Sequence, residues 1–438
     1  MLHRSTTAKL VAVAGAAVLL GSLSACSSGG PASSDDGATT ITFQTGSDTA
    51  SVATAKAMIS AFEKQNPKIT VKVNEAPAGA DADNLVKTRL STGEMSDVFA
   101  YNSGSLLKAL NPDNTLVNLS DQSWVKDLDS QFKSVVSTDN GTYGAPYGST
   151  YAGGIMYNKK VYEKLGLSIP TTWDEFISNS EKIKAAGITP VEQTYGDTWT
   201  SQLTILSDFA NITAQQPNWA SQYTKHKESY TEQPAFAGWQ HLAELKQQGL
   251  LNEDYASATQ ANGLKALTDG TAAQYPMLTV ALATIQQDAP SAINDIGIFA
   301  MPAEKASDTK LTVWESNGVY IPKSTTGAKL DAAKKFVAFV NSSEGCAVQA
   351  KTMSVSGPYS ISTCTLPSSV PTAVTDIQQY ITDDKASPAL EFLSPIKGPN
   401  LEKIAIEVGS GITSAKDGAK QYDQDVAQQA QQLGIKGW

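Results

Sequence analysis

Across residues 40–100 the apolar positions of the chain switch back and forth between two periods. Ile41-Thr42-Phe43 starts a strand, and Val52, Ala55, Ile59 and Phe62 form a helical stripe that stops at Asn66-Pro67. Ile69-Thr70-Val71-Lys72-Val73 alternates as a strand. Leu85, Val86, Arg89 and Leu90 share a second helix that Gly93 ends, and Asp97-Val98-Phe99-Ala100 is a third strand. This β-α-β-α-β order predicts a parallel sheet with right-handed crossovers. Ligands of such sheets bind beyond the carboxyl ends of the strands. Those ends carry Gln44-Thr45-Gly46-Ser47-Asp48 and Tyr101-Asn102-Ser103.

The stretch 141–187 organises the rest of the chain. Gly153-Gly154-Ile155-Met156-Tyr157 reads as a short buried strand, followed by an Asn158-Lys159 turn. Pro170 keeps the residues before it extended, and Thr172-Trp173-Asp174-Glu175 fits a capping box. Trp173, Phe176, Ile177 and Ile183 then fall on one helical face, which Gly187 ends. The segment from Pro146 to Tyr151 mixes tyrosine, serine, threonine and glycine, which suits a chain crossing between two lobes while lining a cleft. Helices are expected near 239–248 and 262–268, and strands at 270–275 and 296–302. A second crossing is expected at 312–318, a return helix on Ala333, Phe336, Val337 and Val340, and a third crossing at 364–375. On the last helix Ile412, Ala415, Ala419, Tyr422, Val426 and Leu433 face one way, toward the second lobe, whereas His226 and His241 read as surface histidines.

Tyr143-Gly144, Pro146, Tyr157-Asn158-Lys159, Tyr162-Glu163-Lys164, Gly166-Leu167, Pro170 and Thr172-Trp173-Asp174-Glu175 together form a long linear pattern. It resembles the extracellular sugar-binding lipoproteins of bacterial ABC importers, the family that includes the maltose- and raffinose-type binding proteins. Shorter likenesses lie at Gly93 to Val98, where Ser96 replaces a usual proline, and at Gly270 to Tyr275, where Gln274 replaces a usual methionine. The resemblance implies an α/β, two-lobed periplasmic-binding-protein-like fold of type II, with a three-strand hinge and a cleft between the lobes. The expected division is a lipoprotein signal peptide at 1–25 and a flexible tether at 26–39. The first lobe takes 40–149 and 316–366, the second 150–315 and 367–438.

Composition narrows the function. A chain of 438 residues is long enough for two or more cores. Arg4 and Lys9 followed by the apolar run 10–20 make a signal-peptide core too short to span a membrane, and Leu23-Ser24-Ala25-Cys26 resembles a lipobox. Cleavage before Cys26 and lipidation of its sulfur would anchor the protein on the outer face of the bacterial cell membrane, by the lipid alone. The mature chain then carries 31 basic and 43 acidic residues, a net of −12, which argues against nucleic acid as a partner. Cys346 and Cys364, 18 positions apart, are expected to pair outside the cell, a crosslink of about 3 kcal/mol in the chain-entropy view. No Cys/His spacing suggests a metal site, and no cofactor is expected.

No GxSxG, P-loop, HExxH or GxGxxG motif stands in a fitting context, and Glu315 with Asp197 is no more than a chance carboxylate pair. The chain is therefore read as a binding protein and not an enzyme. Sugars offer apolar faces to aromatic rings and hydroxyl rims to Asp, Glu, Asn and Gln. The candidate platforms are Tyr101, Tyr147, Tyr151, Trp199, Tyr275 and Trp314. The candidate hydroxyl partners are Asp48, Asn102, Asp197, Gln274, Glu315 and Asn317, while Trp124, Trp173 and Trp239 fit core positions. The expected ligand is a neutral mono- or oligosaccharide, handed by a monomer to the transmembrane subunits of an ABC permease after lobe closure. Arg89 is the only arginine of the mature chain, which disfavours clamping of a carboxylate or phosphate ligand. A same-fold protein for a non-sugar solute and a lipid-anchored glycosidase are the alternative readings.

Overall fold

A computed structural model describes residues 38–353 and 355–438. The signal peptide, Cys26 and most of the tether lie outside the described residues. In chain order the strands are β1 Thr39–Gly46, β2 Ile69–Ala76, β3 Val98–Tyr101, β4 Ser137–Thr138, β5 Gly141–Thr142, β6 Gly144–Tyr147 and β7 Tyr151–Asn158. They continue as β8 Thr189–Val191, β9 Ala272–Leu278, β10 Ile296–Phe299, β11 Leu311–Trp314, β12 Asn317–Tyr320 and β13 Ala386–Pro388.

Two main sheets organise the described chain. The first runs β2-β1-β3-β12-β6. Its β1, β2 and β3 are parallel, as the alternating periods of 40–100 require, while β12 returns late in the chain to lie antiparallel between β3 and β6. The helix Gly327–Val340 packs Phe336 edge-on against Phe43 at 5.3 Å and Phe62 at 5.2 Å, closing the first core. Cys346 and Cys364 are bonded, with Cα atoms 5.4 Å apart, and tie the helix Ser343–Thr352 to the segment leading out of this lobe.

The second sheet runs β13-β11-β7-β9-β8, with β10 paired to β7. Every residue of β7 is buried. Its Gly154 permits that burial, because a Cβ there would lie 2.4 Å from the Phe299 carbonyl oxygen. Asn158 is not a turn residue but caps the helix Lys159–Leu165, accepting from the Val161 N–H at 3.1 Å. The Thr172/Glu175 capping box forms at the start of Trp173–Ala185. The C-terminal helices Leu401–Gly409 and Ala415–Gln432 bury Val408, Ala419, Tyr422 and Val426 in the same core as Trp239.

Two further local expectations fail. His241 is 2% exposed, stacked on Trp173 with centroids 3.8 Å apart, because its helix presents this face to the capping-box helix. Ile412 is 75% exposed, since it precedes the last helix instead of lying on its buried stripe.

The chain passes between the sheets at Tyr147 to Tyr151, at Trp314 to Asn317, and between Cys364, packed on the first core, and Ala373, buried in the second lobe. Gly148 turns the first passage with φ +90°, a conformation other residues resist.

Candidate ligand-binding cleft

The carboxyl ends of the first sheet's parallel strands face the second lobe. After β2 the chain enters the helix Gly79–Thr92, which has no side-chain cap of its own. Gly79 has φ +66°, and a Cβ on it would lie 2.9 Å from a Glu402 carboxylate oxygen and 3.1 Å from Trp199 Cβ, both in the second lobe. Gly104, after β3, meets the Glu391 carbonyl and the Phe392 ring in the same way. Both glycines combine a positive φ with a close neighbour from the other lobe, which favours glycine at each point.

Between these contacts lies a polar centre. Tyr101, last in β3, donates its phenol hydroxyl to Asp83 at 2.7 Å. Burial pushes the Asp83 carboxyl up, against the pull of the Tyr101 hydrogen bond and of Lys397 and Lys87. Across the cleft, Trp314, last in β11, donates its indole N–H to Glu391 at 2.8 Å. Lys397 stands 4.0 Å from Glu391, and the two side chains are only 14% and 10% exposed. Glu402 accepts from the Thr198 hydroxyl at 2.7 Å and the Gln202 amide at 3.3 Å.

The crossings form the floor. The rings of Tyr151 and Trp314 lie parallel, with centroids 6.2 Å apart and 6° between planes. Tyr147 and Asn317, adjacent on β6 and β12, line a cavity of about 50 Å³ with Tyr151, Met353 and Tyr359, room for a few waters and not for a sugar ring. The buried Tyr147 hydroxyl lies beside Thr45 and near Asp48, the exposed N-cap of the helix Thr49–Gln65. Glu315 is buried at the second crossing and accepts from the Ser360 hydroxyl at 3.2 Å. Burial, with Asp129 nearby, pushes its carboxyl up to about 7.

The structure thus gathers Tyr101, Asn102, Tyr147, Tyr151, Trp314, Glu315 and Asn317 at the crossings and strand ends, with Asp48 beside them and half-buried Trp199 at the lobe contact. Three expected residues lie elsewhere. Gln274 is fully buried, accepting from Tyr162 at 2.6 Å and donating to Ser180 and the Pro190 carbonyl at 3.0 Å. Tyr275 is fully buried and bonded to the Thr194 hydroxyl. Both sit mid-strand in β9 with neighbours on either side, β7 and β8. Asp197 accepts from the Gln260 N–H at 2.6 Å and holds the start of the helix Gln260–Asp269.

Sequence reasoning passed over Asp83, Glu391, Lys397 and Glu402. Asp83 had a signal: it comes after β2, whose carboxyl end obeys the same rule as those of β1 and β3. The other three come from C-terminal segments with no periodic mark. Among the described residues no group of three or more His, Cys, Asp or Glu side chains is placed to hold a metal, and no helix is long and apolar enough to cross a membrane. The groups present can accept from hydroxyls, donate to them and cover apolar faces.

The profile of the bacterial extracellular solute-binding proteins matches residues 46–345. The multiple sugar-binding protein of Streptococcus mutans is 27% identical over 297 residues, 66% of this chain and 68% of that protein. The melibiose/raffinose/stachyose-binding protein MelE of Bacillus subtilis is 23% identical over 304 residues, 66% of each chain, so the alignment spans about two thirds of these relatives. Among solved structures, a chitin oligosaccharide binding protein superposes with a TM-score of 0.78 at 19% identity, over 90% of this chain and 99% of its own. The binding protein RafE in complex with raffinose gives a TM-score of 0.71 at 23% identity, over 90% and 99%.

Proposed function

The chain belongs to the bacterial extracellular solute-binding proteins, and from that premise we propose that it captures a neutral saccharide, an oligosaccharide before a monosaccharide, for an ABC importer. The observation that carries this reading is the floor of the cleft: the parallel rings of Tyr151 and Trp314 lie where both lobes also bring hydroxyl-binding groups. Rings take the apolar face of a sugar while carboxylates, amides and an ammonium take its rim. In this reading Asp48, Asn102, Tyr147, Trp199, Glu315 and Asn317 complete the lining. The mature chain has a single arginine, Arg89, which donates to the Gln44 side chain, and this scarcity of guanidinium groups disfavours a carboxylate or phosphate ligand.

Ligand bridging both lobes favours the closed arrangement by its differential affinity, and the closed shape is what the permease subunits recognise. The lobes are 40–149 with 316–366 and 150–315 with 367–438. The protein acts as a monomer and carries out no catalysis on its ligand. Cys26 carries the lipid that holds it at the membrane; mass spectrometry of the mature N-terminus is expected to find a diacylglyceryl group there, and Cys26→Ser is expected to shed the protein into the medium.

A thermal-shift screen of mono-, di- and trisaccharides tests the reading. A ligand at 100 times its Kd stabilises the folded form by about 2.7 kcal/mol, so one saccharide series is expected to raise the melting temperature clearly. A flat response across the screen, with amino acids or polyamines giving the shift instead, would refute it.

A further inference from the structure

We propose that Asp83 of the first lobe and the Lys397–Glu391 pair of the second form a single hydroxyl-reading centre, and that this centre sets which saccharide is accepted. The inference rests on the saccharide reading above and names the groups that would make it selective.

The two ring residues nearest the centre are each fastened to a carboxylate, Tyr101 to Asp83 at 2.7 Å and Trp314 to Glu391 at 2.8 Å. Among the described residues these are the only side-chain hydrogen bonds the two carboxylates accept, although an ionised carboxylate has about four acceptor sites. Each therefore keeps most of its acceptor capacity after orienting a ring. Lys397 is the complementary case. It has donors only, its side chain is 14% exposed, and its nearest carboxylate oxygen stands at 4.0 Å, beyond hydrogen-bond reach. Among the described residues its ammonium makes no hydrogen bond. Its three donors are therefore open to a ligand.

A polyol supplies both halves of what is missing. Its hydroxyl protons fit the free oxygens of Asp83 and Glu391, and its hydroxyl oxygens fit the Lys397 ammonium. The two halves are brought together by the backbone: Gly104, three residues after Tyr101, packs against the Glu391 carbonyl, and Lys397 acts on the Asp83 carboxyl across the cleft, so one ligand can engage both lobes. A ligand that does so closes the cleft as a condition of binding. A site that hydrogen-bonds hydroxyls in this way discriminates strongly against analogues lacking them, because its own polar groups are then left unpaired.

The test is calorimetric titration of the saccharide giving the largest thermal shift, with wild type, Asp83→Asn, Lys397→Met and Lys397→Gln. Folding is checked by circular dichroism and ligand-free melting. Asp83→Asn is expected to weaken binding tenfold or more, and the Lys397 variants are expected to rank Lys, then Gln, then Met in affinity. Wild type binding well, with folded Asp83→Asn and both Lys397 variants within threefold of it, overturns the inference and leaves the saccharide reading standing. Wild type binding no saccharide overturns both. Where one substitution prevents folding, the remaining variants decide the outcome by the same thresholds.

Discussion

Strand β9 and the end of strand β11 carry the same kind of residue pair, and only the second stands where the chain passes between the two sheets. Gln274-Tyr275 and Trp314-Glu315 each set an aromatic ring beside a group that binds hydroxyls. In β9 the partners of that pair, Tyr162, Ser180, Pro190 and Thr194, all belong to the second lobe. At the end of β11 they divide: Trp314 reaches Glu391 beside the cleft, and Glu315 reaches Ser360, next to Ile361 of the first core. Residue type says that a side chain can bind sugar. Whether its strand ends there says which segments it can reach. A mid-strand residue between two neighbouring strands spends its hydrogen bonds on its own lobe, and lobe movement does not reach it.

The largest way to break this comparison is Trp314→Ala. Trp314 is 3% exposed in the second core, so its truncation leaves a cavity and is expected to cost about 3–5 kcal/mol of stability. It also frees Glu391 and removes the ring beside Tyr151, so saccharide affinity is expected to fall by orders of magnitude. Urea unfolding and calorimetry on the same samples check both numbers. Stability lost with affinity intact would make Trp314 a core residue and nothing more. The matching change in β9, Gln274→Leu, is expected to cost about 1–3 kcal/mol, since it removes the acceptor of the buried Tyr162 hydroxyl and a donor to the Pro190 carbonyl, while Ser180 still donates to the Phe176 carbonyl. Affinity for the saccharide is expected to stay within twofold of wild type, and a larger loss would blur the distinction between the two strands.

The same distinction explains what was legible in the sequence. The parallel β1-β2-β3 core, the capping box at Thr172 and the crossings at Tyr147 and Trp314 are written locally, in period, cap and turn residues. Asp83 is reached by the strand-end rule once it is applied to β2 as well. Glu391, Lys397 and Glu402 answer to no local rule. They come from C-terminal segments and reach the cleft only because β13 pairs with β11 and the helix Leu401–Gly409 packs on the turn at Thr198–Gln202. His241 misled for the same reason. Its helix shows a polar face in sequence, but Trp173, far away in the chain, lies on that face.

A finer test uses two buried carboxyls, one on each side of the comparison. Glu315 stands at a crossing, and Glu192 comes just after β8 within the second lobe, where burial with Asp254 nearby likewise pushes its carboxyl up to about 7. Each is raised above its ordinary value of 4.5, so the fold favours the protonated form. Their stabilising contribution is complete below about pH 4.5 and is lost as pH rises through about 7. Glu315→Gln and Glu192→Gln are each expected to flatten this decline and to gain about 2 kcal/mol over wild type near pH 8. Asp208, raised to about 6 by burial, maintains part of the slope in both variants. The separation comes with ligand: Glu315→Gln is expected to change the pH profile of saccharide affinity, because its partner lies across the crossing, and Glu192→Gln is expected to leave it unchanged. Identical affinity profiles would show that the crossing does not sense closure.

The smallest expected effect is that of Tyr275→Phe, and it isolates a single bond. The ring stays, so the packing of β9 is preserved and no cavity opens. What goes is the hydroxyl that meets Thr194 between β9 and the segment after β8. Thr194 keeps a second contact, to the Thr200 hydroxyl at 3.0 Å, so its oxygen is not left without a partner. The cost is therefore expected near the ordinary value of one neutral hydrogen bond, about 1 kcal/mol, with saccharide affinity unchanged. The segment that Thr194 anchors runs directly into Trp199 and Gln202, which stand at the lobe contact. A drop in affinity from so slight a change would mean that this bond holds Trp199 in place. The interior of the second lobe would then belong to the site at one remove, and the line between the two strands would lie one residue layer deeper than their burial suggests.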